Sequence, residues 1–334
     1  FRRVLFRSAW IWLIVCILAL AACEKPVLDN GDEGTKSRNS KNKLTRVVRI
    51  HPKELHIETF EDAMGAKPQP FSRGVTGEAK KKFYAVNVYE KKPNEETYSM
   101  YAYGLFTNAS KIALKMNVEN LYKVECLIVE EGDDRIFLKD GEYLAPFLHG
   151  TDKGTRLTNS FVLSKEENLN GLTKGETTIA DGRTIHYPRI TKLYATIDSF
   201  SPKATKDLTL DMKRSVFGLH FKVTPPDEGK LVVNYVGWGI PLTKDSPMYD
   251  NRAVYSFYDV VNGTKDGYQT TIDLRVSWTK DDGTVEKEQK QLTIKRNVMS
   301  VIDISVEGKK PQGFTFHEES GDMETENTVW KLVL

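Results

Sequence analysis

The strongest constraint on the fold is an alternation of apolar and polar residues with a period of two, which dominates the chain beyond Leu44. From position 268 to position 278, Tyr, Thr, Ile, Leu, Val and Trp occupy every second place, and the residues between them are all polar. Side chains of a β-strand point alternately to the two faces of a sheet, so this pattern predicts strands with one buried face. Helical content is predicted to be small, with one short segment near residues 58–64.

The turn chemistry of the chain agrees with a fold made of many short strands. Asp-Gly and Asn-Gly pairs separate the alternating runs, for example at Asp140-Gly141, Asp266-Gly267 and Asp282-Gly283. Such pairs supply the positive φ angles that tight hairpins need. The sequence therefore predicts an all-β protein built as sandwiches or barrels.

The length of the chain indicates more than one folded unit. At 334 residues it exceeds the usual size of a single domain, so we expect two domains after a leader and a linker. A Ser201-Pro202 pair follows a strand predicted to end at Phe200, and proline interrupts a strand. We predict an N-terminal domain over residues 45–200 and a C-terminal domain over residues 201–334.

The first residues have the features of a secretion signal. Arg2, Arg3 and Arg7 precede an apolar stretch that ends in Leu20-Ala21-Ala22-Cys23, which resembles the bacterial lipobox. This resemblance implies a lipoprotein signal peptide over residues 1–22 and acylation of Cys23, with palmitate among the chains, at the cell outer membrane. A leader that is cleaved without lipidation is the alternative. Residues 23–44 contain few large apolar side chains and are predicted to form a flexible tether.

Charge and the scatter of reactive residues argue against nucleic-acid binding and catalysis. Lys and Arg total 48 against 46 Asp and Glu, three of the arginines lie in the leader, and no basic stripe stands out. The histidines, among them His51 and His56, lack metal-ligand spacing, so neither a metal site nor a cofactor is predicted. Cys126 lies in an apolar strand pattern and is predicted to be a core thiol, and His220 is predicted on a solvent face. The chain is predicted not to be an enzyme.

Three short motifs resemble one protein family. Residues 208–214 (LTLDMKR) precede an alternating strand at 217–223, residues 292–297 (LTIKRN) precede a strand at 301–306, and residues 84–89 (YAVNVY) lead to a second strand at 101–104. Together they are similar to the fimbrillins, which are lipoprotein pilus subunits and anchors of Bacteroidales. In that family the first motif opens the second domain.

The resemblance implies two tandem transthyretin-like Greek-key β-sandwich domains and assembly by strand donation between subunits. It further implies processing by a trypsin-like protease at Arg46 or Arg49, in a strand near the start of the folded part. A donor strand is expected at the carboxyl end, and its candidate residues are Val329, Trp330, Leu332 and Leu334. A last strand that folds back on its own sheet is the favoured alternative for this segment.

Two functions from different classes follow as hypotheses. The leading one is a non-enzymatic surface lipoprotein that acts in adhesion as a fimbrial subunit or anchor, with other subunits, copies of itself, or a host protein or glycan receptor as partners. The alternative is a monomeric surface glycan-binding lipoprotein of a nutrient-uptake system. Aromatic residues at 98–103 and 255–258 could line a sugar surface, but core packing is the expected role for them.

Overall fold

The computed structural model describes residues 44–54, 81–145, 147, 154–166, 169–179 and 181–306, together with the backbone of the short pairs 313–314, 324–325 and 330–331. Over these residues the chain consists of β-strands, three single-turn 3-10 helices and loops. The predicted all-β class is confirmed. The predicted signal peptide, Cys23, most of the tether and the helical segment near residues 58–64 lie outside the described residues.

The strands are numbered β1 to β23 in chain order. Those of the first half are β1 (Thr45–Glu54), β2 (Lys82–Lys91), β3 (Ser99–Phe106), β4 (Ala113–Asn117), β5 (Leu121–Glu130), β6 (Leu138–Lys139), β7 (Glu142–Tyr143), β8 (Thr155–Arg156), β9 (Phe161–Leu163), β10 (Thr177–Thr178), β11 (Thr184–Ile185), β12 (Thr191–Phe200) and β13 (Asp207–Arg214). Those of the second half are β14 (Val216–Val223), β15 (Lys230–Tyr235), β16 (Trp238–Thr243), β17 (Tyr249–Ser256), β18 (Gln269–Thr279), β19 (Val285–Lys295), β20 (Val298–Ile304), β21 (Gly313–Phe314), β22 (Glu324–Thr325) and β23 (Trp330–Lys331). The 3-10 turns are Ala109–Lys111, Asn170–Thr173 and Asn262–Thr264.

The first unit is an eight-stranded sheet in the order β4-β1-β13-β12-β5-β2-β3-β9. Strands β13 and β12 pair over only two residues each, so the sheet folds over at this point. The arm β4-β1-β13 then packs against β5, β2 and β3, and its Ile50, Leu114 and Leu210 share one core with Val86 and Val124. Each strand supplies alternate residues to this core, as the period of two predicts.

The second unit consists of two four-stranded sheets, β17-β14-β20-β22 and β16-β15-β18-β19. Residues of both sheets, such as Phe221 from β14 and Trp278 from β18, form a single core between them. In β18 the buried residues are Ile272, Leu274, Val276 and Trp278. These are the apolar positions that the sequence pattern predicts.

The predicted boundary at residue 201 needs correction. Strand β13 pairs in parallel with β1, and its Leu208, Leu210 and Met212 belong to the first core. The motif at residues 208–214 therefore closes the first unit rather than opening a second domain. We place the boundary near Ser215, because β14 contributes to the second core from Phe217 onward.

The two units are joined by backbone hydrogen bonds as well as by packing. The amides of Gly175 and Val260 donate to the carbonyls of Tyr258 and Thr173, at 2.6 and 3.0 Å. Ser256 donates its backbone N–H to Pro188 at 3.0 Å and its hydroxyl to the carbonyl of Ile190. These bonds tie the loop before β12 to the end of β17, so the two units meet through a built junction.

A fully buried lysine stands at this junction. The Nζ of Lys192 on β12 donates to the carbonyl oxygens of Lys174, Gly175 and Glu176, at 3.3, 2.5 and 3.2 Å. Its side chain is 0% exposed, and burial lowers the pKa of Lys192 to about 7. A buried ammonium is costly unless its protons are hydrogen-bonded, so the three carbonyls are what make this position tolerable.

The prediction that His220 lies on a solvent face is wrong. Its side chain accepts from Arg252 at 3.2 Å and pairs with Asp250 at 2.7 Å, and the residue is only 2% exposed. Strand β14 is central in its sheet, and the neighbouring residues Met299 and Val301 on β20 are buried as well. The alternation along β14 correctly places His220 on the face opposite to Leu219 and Phe221. That face is buried as well.

Candidate functional site

The candidate site is the slot that β1 occupies in the first sheet. Strand β1 runs antiparallel to β4 on one side and parallel to β13 on the other. On the β13 side, the amide of Arg49 donates to Lys206 at 2.9 Å. On the β4 side, the amide of Ile50 donates to Ile112 at 2.9 Å. The ladder with β4 covers Thr45–Arg49 and the ladder with β13 covers Arg49–Glu54, so the two partners flank successive halves of β1 and overlap only at Arg49.

The inward face of β1 completes a hydrophobic core. Val48 and Ile50 are 0% and 1% exposed, and the residues of β4 and β13 in the same core are Leu114, Met116, Leu208, Leu210 and Met212. Removal of β1 would leave unpaired backbone groups on one edge of β4 and on one edge of β13, next to the apolar core residues that β1 covers. An exposed groove of this kind is a template for another strand.

The connection that follows β1 does not tie it to the strands with which it pairs. After Glu54 the chain continues through residues 55–80, which lie outside the described part, and re-enters the fold at β2. Strand β2 lies between β5 and β3 and does not pair with β1. No hairpin therefore joins β1 to either of its partners, unlike the hairpin-linked strands β18 and β19.

The structure places the two predicted processing residues within β1. Arg49 is exposed and stands opposite Ala113 on β4 and Asp207 on β13, so its backbone lies where the two ladders of β1 meet. Arg46 pairs only with Met116 on β4, and its guanidinium donates to the carbonyls of Pro202 and Lys203 at 2.9 and 3.1 Å. Proteolysis at Arg49 would require β1 to leave its sheet first.

Apart from Val47, the outer face of β1 is polar, and its ion pair with β13 is weak. His51 is exposed, and its Nε2 lies 3.2 Å from a carboxylate oxygen of Asp207. An exposed pair of this type contributes little to stability, about 0–1 kcal/mol. The retention of β1 therefore depends on the backbone ladders and on Val48 and Ile50 rather than on charge.

The predicted donor residues are only partly described. Trp330 lies in β23, whose backbone pairs antiparallel with β21 so that Trp330 stands opposite Phe314. Val329, Leu332 and Leu334 lie outside the described residues. The assignment of this segment as a donor stays a prediction.

Chemically reactive groups do not gather at any described position. Among the described side chains, no group of three histidines, cysteines or carboxylates could hold a metal ion. Cys126 is confirmed as a core residue, since it is 0% exposed and burial raises the pKa of its thiol. Of the aromatic clusters considered for sugar binding, Tyr103, Tyr255 and Phe257 are buried in the cores. Over the same residues, no helix has the length and apolar character needed to cross a bilayer.

The chain resembles known proteins in structure but not in sequence. No protein-family model and no curated protein matches the chain. Solved structures do. A candidate cell adhesion protein from Bacteroides eggerthii aligns at 9% identity with a TM-score of 0.31, covering 89% of this chain and 98% of that one.

Two further solved structures are described as fimbrial. The tip fimbrial protein Mfa3 from Porphyromonas gingivalis, with a C-terminal truncation, shares 8% identity at a TM-score of 0.28, covering 75% of this chain and 94% of its own. A fimbrial assembly protein from Parabacteroides distasonis shares 12% identity at a TM-score of 0.28, covering 75% and 91%.

The chain is similar to adhesion and fimbrial proteins of Bacteroidales. These neighbours are of the same kind as the family that the sequence motifs resemble.

Proposed function

We propose that the protein is a non-enzymatic adhesion module of the bacterial surface, a fimbrial subunit or anchor whose copies join by strand donation. Its two units would be tandem transthyretin-like Greek-key sandwiches. The observation that carries the proposal is the slot of β1. The first half of that strand pairs with β4 and its second half with β13, it completes a core through Val48 and Ile50, and it is linked to neither partner by a hairpin. These are the properties of a strand that a second chain can replace.

In this proposal the lipid at Cys23 brings the protein to the outer membrane. Loss of β1 then opens the slot, and the carboxyl-terminal segment around Val329, Trp330, Leu332 and Leu334 of another copy enters it. Cleavage next to Arg46 or Arg49 would act on a transiently unpaired β1 and would free at most Thr45–Arg49, the half that pairs with β4. Ile50–Glu54 would also have to leave β13 for the whole slot to open. Where β1 is retained, the slot stays closed and the protein serves as an anchor held by its lipid.

The experiment compares two forms of the purified chain, one that begins at Leu44 and one that begins after Glu54. The form without β1 is expected to assemble into ladders that resist SDS, because an inserted strand restores both backbone ladders and the apolar contacts. The form that retains β1 is expected to stay monomeric. Removal of residues 328–334 from the form without β1 should abolish the ladders.

Two outcomes would contradict strand donation. Persistent monomers of a folded chain without β1 would show that the open slot does not recruit a strand. Ladders that form equally well when β1 is present would show that the slot is not the joining site. Affinity of such monomers for glycans would favour the alternative function, a monomeric glycan-binding lipoprotein of a nutrient-uptake system.

A further inference from the structure

Two of the sequence motifs meet at the junction of the two units. The motifs at residues 208–214 and 292–297 each carry a Lys-Arg pair at or near the carboxyl end. In the structure the Nε of Arg296 donates to the backbone carbonyl of Arg214 at 2.9 Å, although the two residues are 82 positions apart. The basic ends of β13 and β19 therefore lie side by side.

The turn at Asp266 joins these two strand ends and adds a further cation. Its carboxylate oxygens lie 3.4 Å from the Nζ of Lys213 and 3.0 Å from a guanidinium nitrogen of Arg296. Lys265 precedes Asp266 in the chain and is exposed. We call Lys213, Arg214, Lys265 and Arg296 the basic cluster.

The basic cluster carries more charge than its surroundings neutralise. Asp266 is the one carboxylate among the described residues that contacts it. The side chains of Arg214 and Lys265 are exposed and make no hydrogen bond or ion pair within the part of the chain that the structure describes. Asp211, the nearest carboxylate along β13, stands opposite Lys53 on β1, so this pair adds no net charge. Four cations against one carboxylate leave a clear positive excess.

The cations are held together despite their like charge. Burial lowers the pKa of Arg296, Asp266 opposes this shift, and the positive charge of Arg214 adds to it. The carboxylate of Asp266 is 79% exposed, and ion pairs in such a position contribute only about 0–1 kcal/mol to stability. A gain in stability therefore does not account for the concentration of charge.

The loop at residues 262–268, which carries part of the cluster, is packed firmly against the end of the first unit. A Cβ on Gly263 would overlap the hydroxyl of Ser215, so the loop lies in direct contact with the residue that follows β13. The amide of Arg296 donates to the carbonyl of Tyr268 at 2.9 Å and fixes the other side of the loop. Groups that are held in a fixed arrangement lose little conformational freedom when they bind a ligand.

The surface around the basic cluster indicates the kind of partner. None of the exposed large apolar side chains of the described residues belongs to the three segments that form the cluster. Protein partners are usually anchored by aromatic or aliphatic side chains at the centre of an interface. A polyanion needs no such anchor, because concentrated positive charge attracts its repeated charges directly.

We propose that the basic cluster binds an acidic polysaccharide. Sulfate or carboxylate groups along the polymer pair with Arg214 and Lys265, and the polymer passes Lys213 and Arg296 on either side of Asp266. A guanidinium can hold such groups through two parallel hydrogen bonds, and an ammonium holds them as a point charge. The site is independent of strand donation, because it lies at the junction of the two units and needs no change at β1.

The test uses the full purified chain with β1 in place and three polymers, namely dextran sulfate, polygalacturonate and neutral dextran. Binding is measured by calorimetry. At least one acidic polymer is expected to bind, neutral dextran is not, and the affinity should fall about tenfold or more between about 50 and 200 mM salt. The double change Arg214→Gln and Lys265→Gln should weaken binding about tenfold or more. Both residues are exposed, so this variant should fold normally.

The matched control is the double change Lys230→Gln and Lys244→Gln, which removes the same charge from exposed lysines and should leave the affinity nearly unchanged. Lys230 stands opposite Thr279, at the end of β18 that is remote from the cluster. Asp266→Asn removes the one carboxylate in contact with the cluster, so it is expected to raise the affinity about threefold.

Three outcomes would overturn the proposal. The first is that neither acidic polymer binds, and the second is that the two double variants lose affinity equally. The third concerns a peptide with the sequence of residues 317–326, which contains five carboxylates. If this peptide binds the cluster more tightly than either polymer, the partner is an acidic segment of a second copy rather than a polysaccharide.

Discussion

Alanine at position 175 is expected to lower the free energy of unfolding by about 3 kcal/mol or more. A Cβ on Gly175 would overlap the carbonyl group of Phe257 and crowd the Cα of Tyr258, both of which are backbone rather than movable side chain. The same backbone receives the amide of Gly175 as a hydrogen-bond donor at 2.6 Å. The added methyl group must therefore push the two units apart where they meet.

Chemical denaturation of Gly175→Ala measures this effect, and Gly239→Ala is its control. A Cβ on Gly239 would approach only the side-chain oxygen of Asn234, at 3.1 Å, so the cost there should stay below about 1 kcal/mol. Both changes restrict the unfolded chain equally, so their difference isolates the clash. Equal stability of the two variants would show that the junction is not closely packed at Gly175.

Replacement of Lys192 by methionine is expected to destabilise the chain by about 2–4 kcal/mol at pH 9, because the carbonyl groups at the junction lose the neutral amine that donates to them. The loss should be smaller near pH 6. Since burial lowers the pKa of Lys192 to about 7, the unfolded chain binds more protons than the folded one between pH 7 and the ordinary lysine value near 10.5. The stability supplied by Lys192 therefore rises with pH in this window, by at most about 1.4 kcal/mol per pH unit.

Denaturation of both chains at pH 6, 7.5 and 9 measures the difference directly. Lys287→Met serves as the control, because Lys287 is an exposed residue of β19. It should change the stability little and equally at each pH. A cost for Lys192→Met that does not vary with pH would contradict the inferred titration of the buried ammonium.

Alternation along single strands is what made the fold class predictable from sequence. Strand β18 buries the predicted apolar residues, and Cys126 is the predicted core thiol. The boundary was misplaced because β13 alternates as well as any strand, and its parallel pairing with β1 joins distant parts of the chain. Local pattern does not encode which distant strand is the neighbour.

The surroundings of single side chains were less predictable. They depend on which distant part of the chain packs over a sheet face or lies next to a side chain. His220 follows the alternation and yet is buried, since its sheet face is covered. Lys192 would be placed on a surface by its chemistry, and only the carbonyls of residues 174–176 explain its burial.

Hydrogen exchange at the two strands that flank β1 tests strand donation most directly. The amides of β4 and β13 that face the slot should be protected in the chain with β1, exposed in the monomeric chain without it, and protected again once that chain has assembled. Slot amides that stay exposed in the assembled chain, or new protection that arises only elsewhere, would contradict the account.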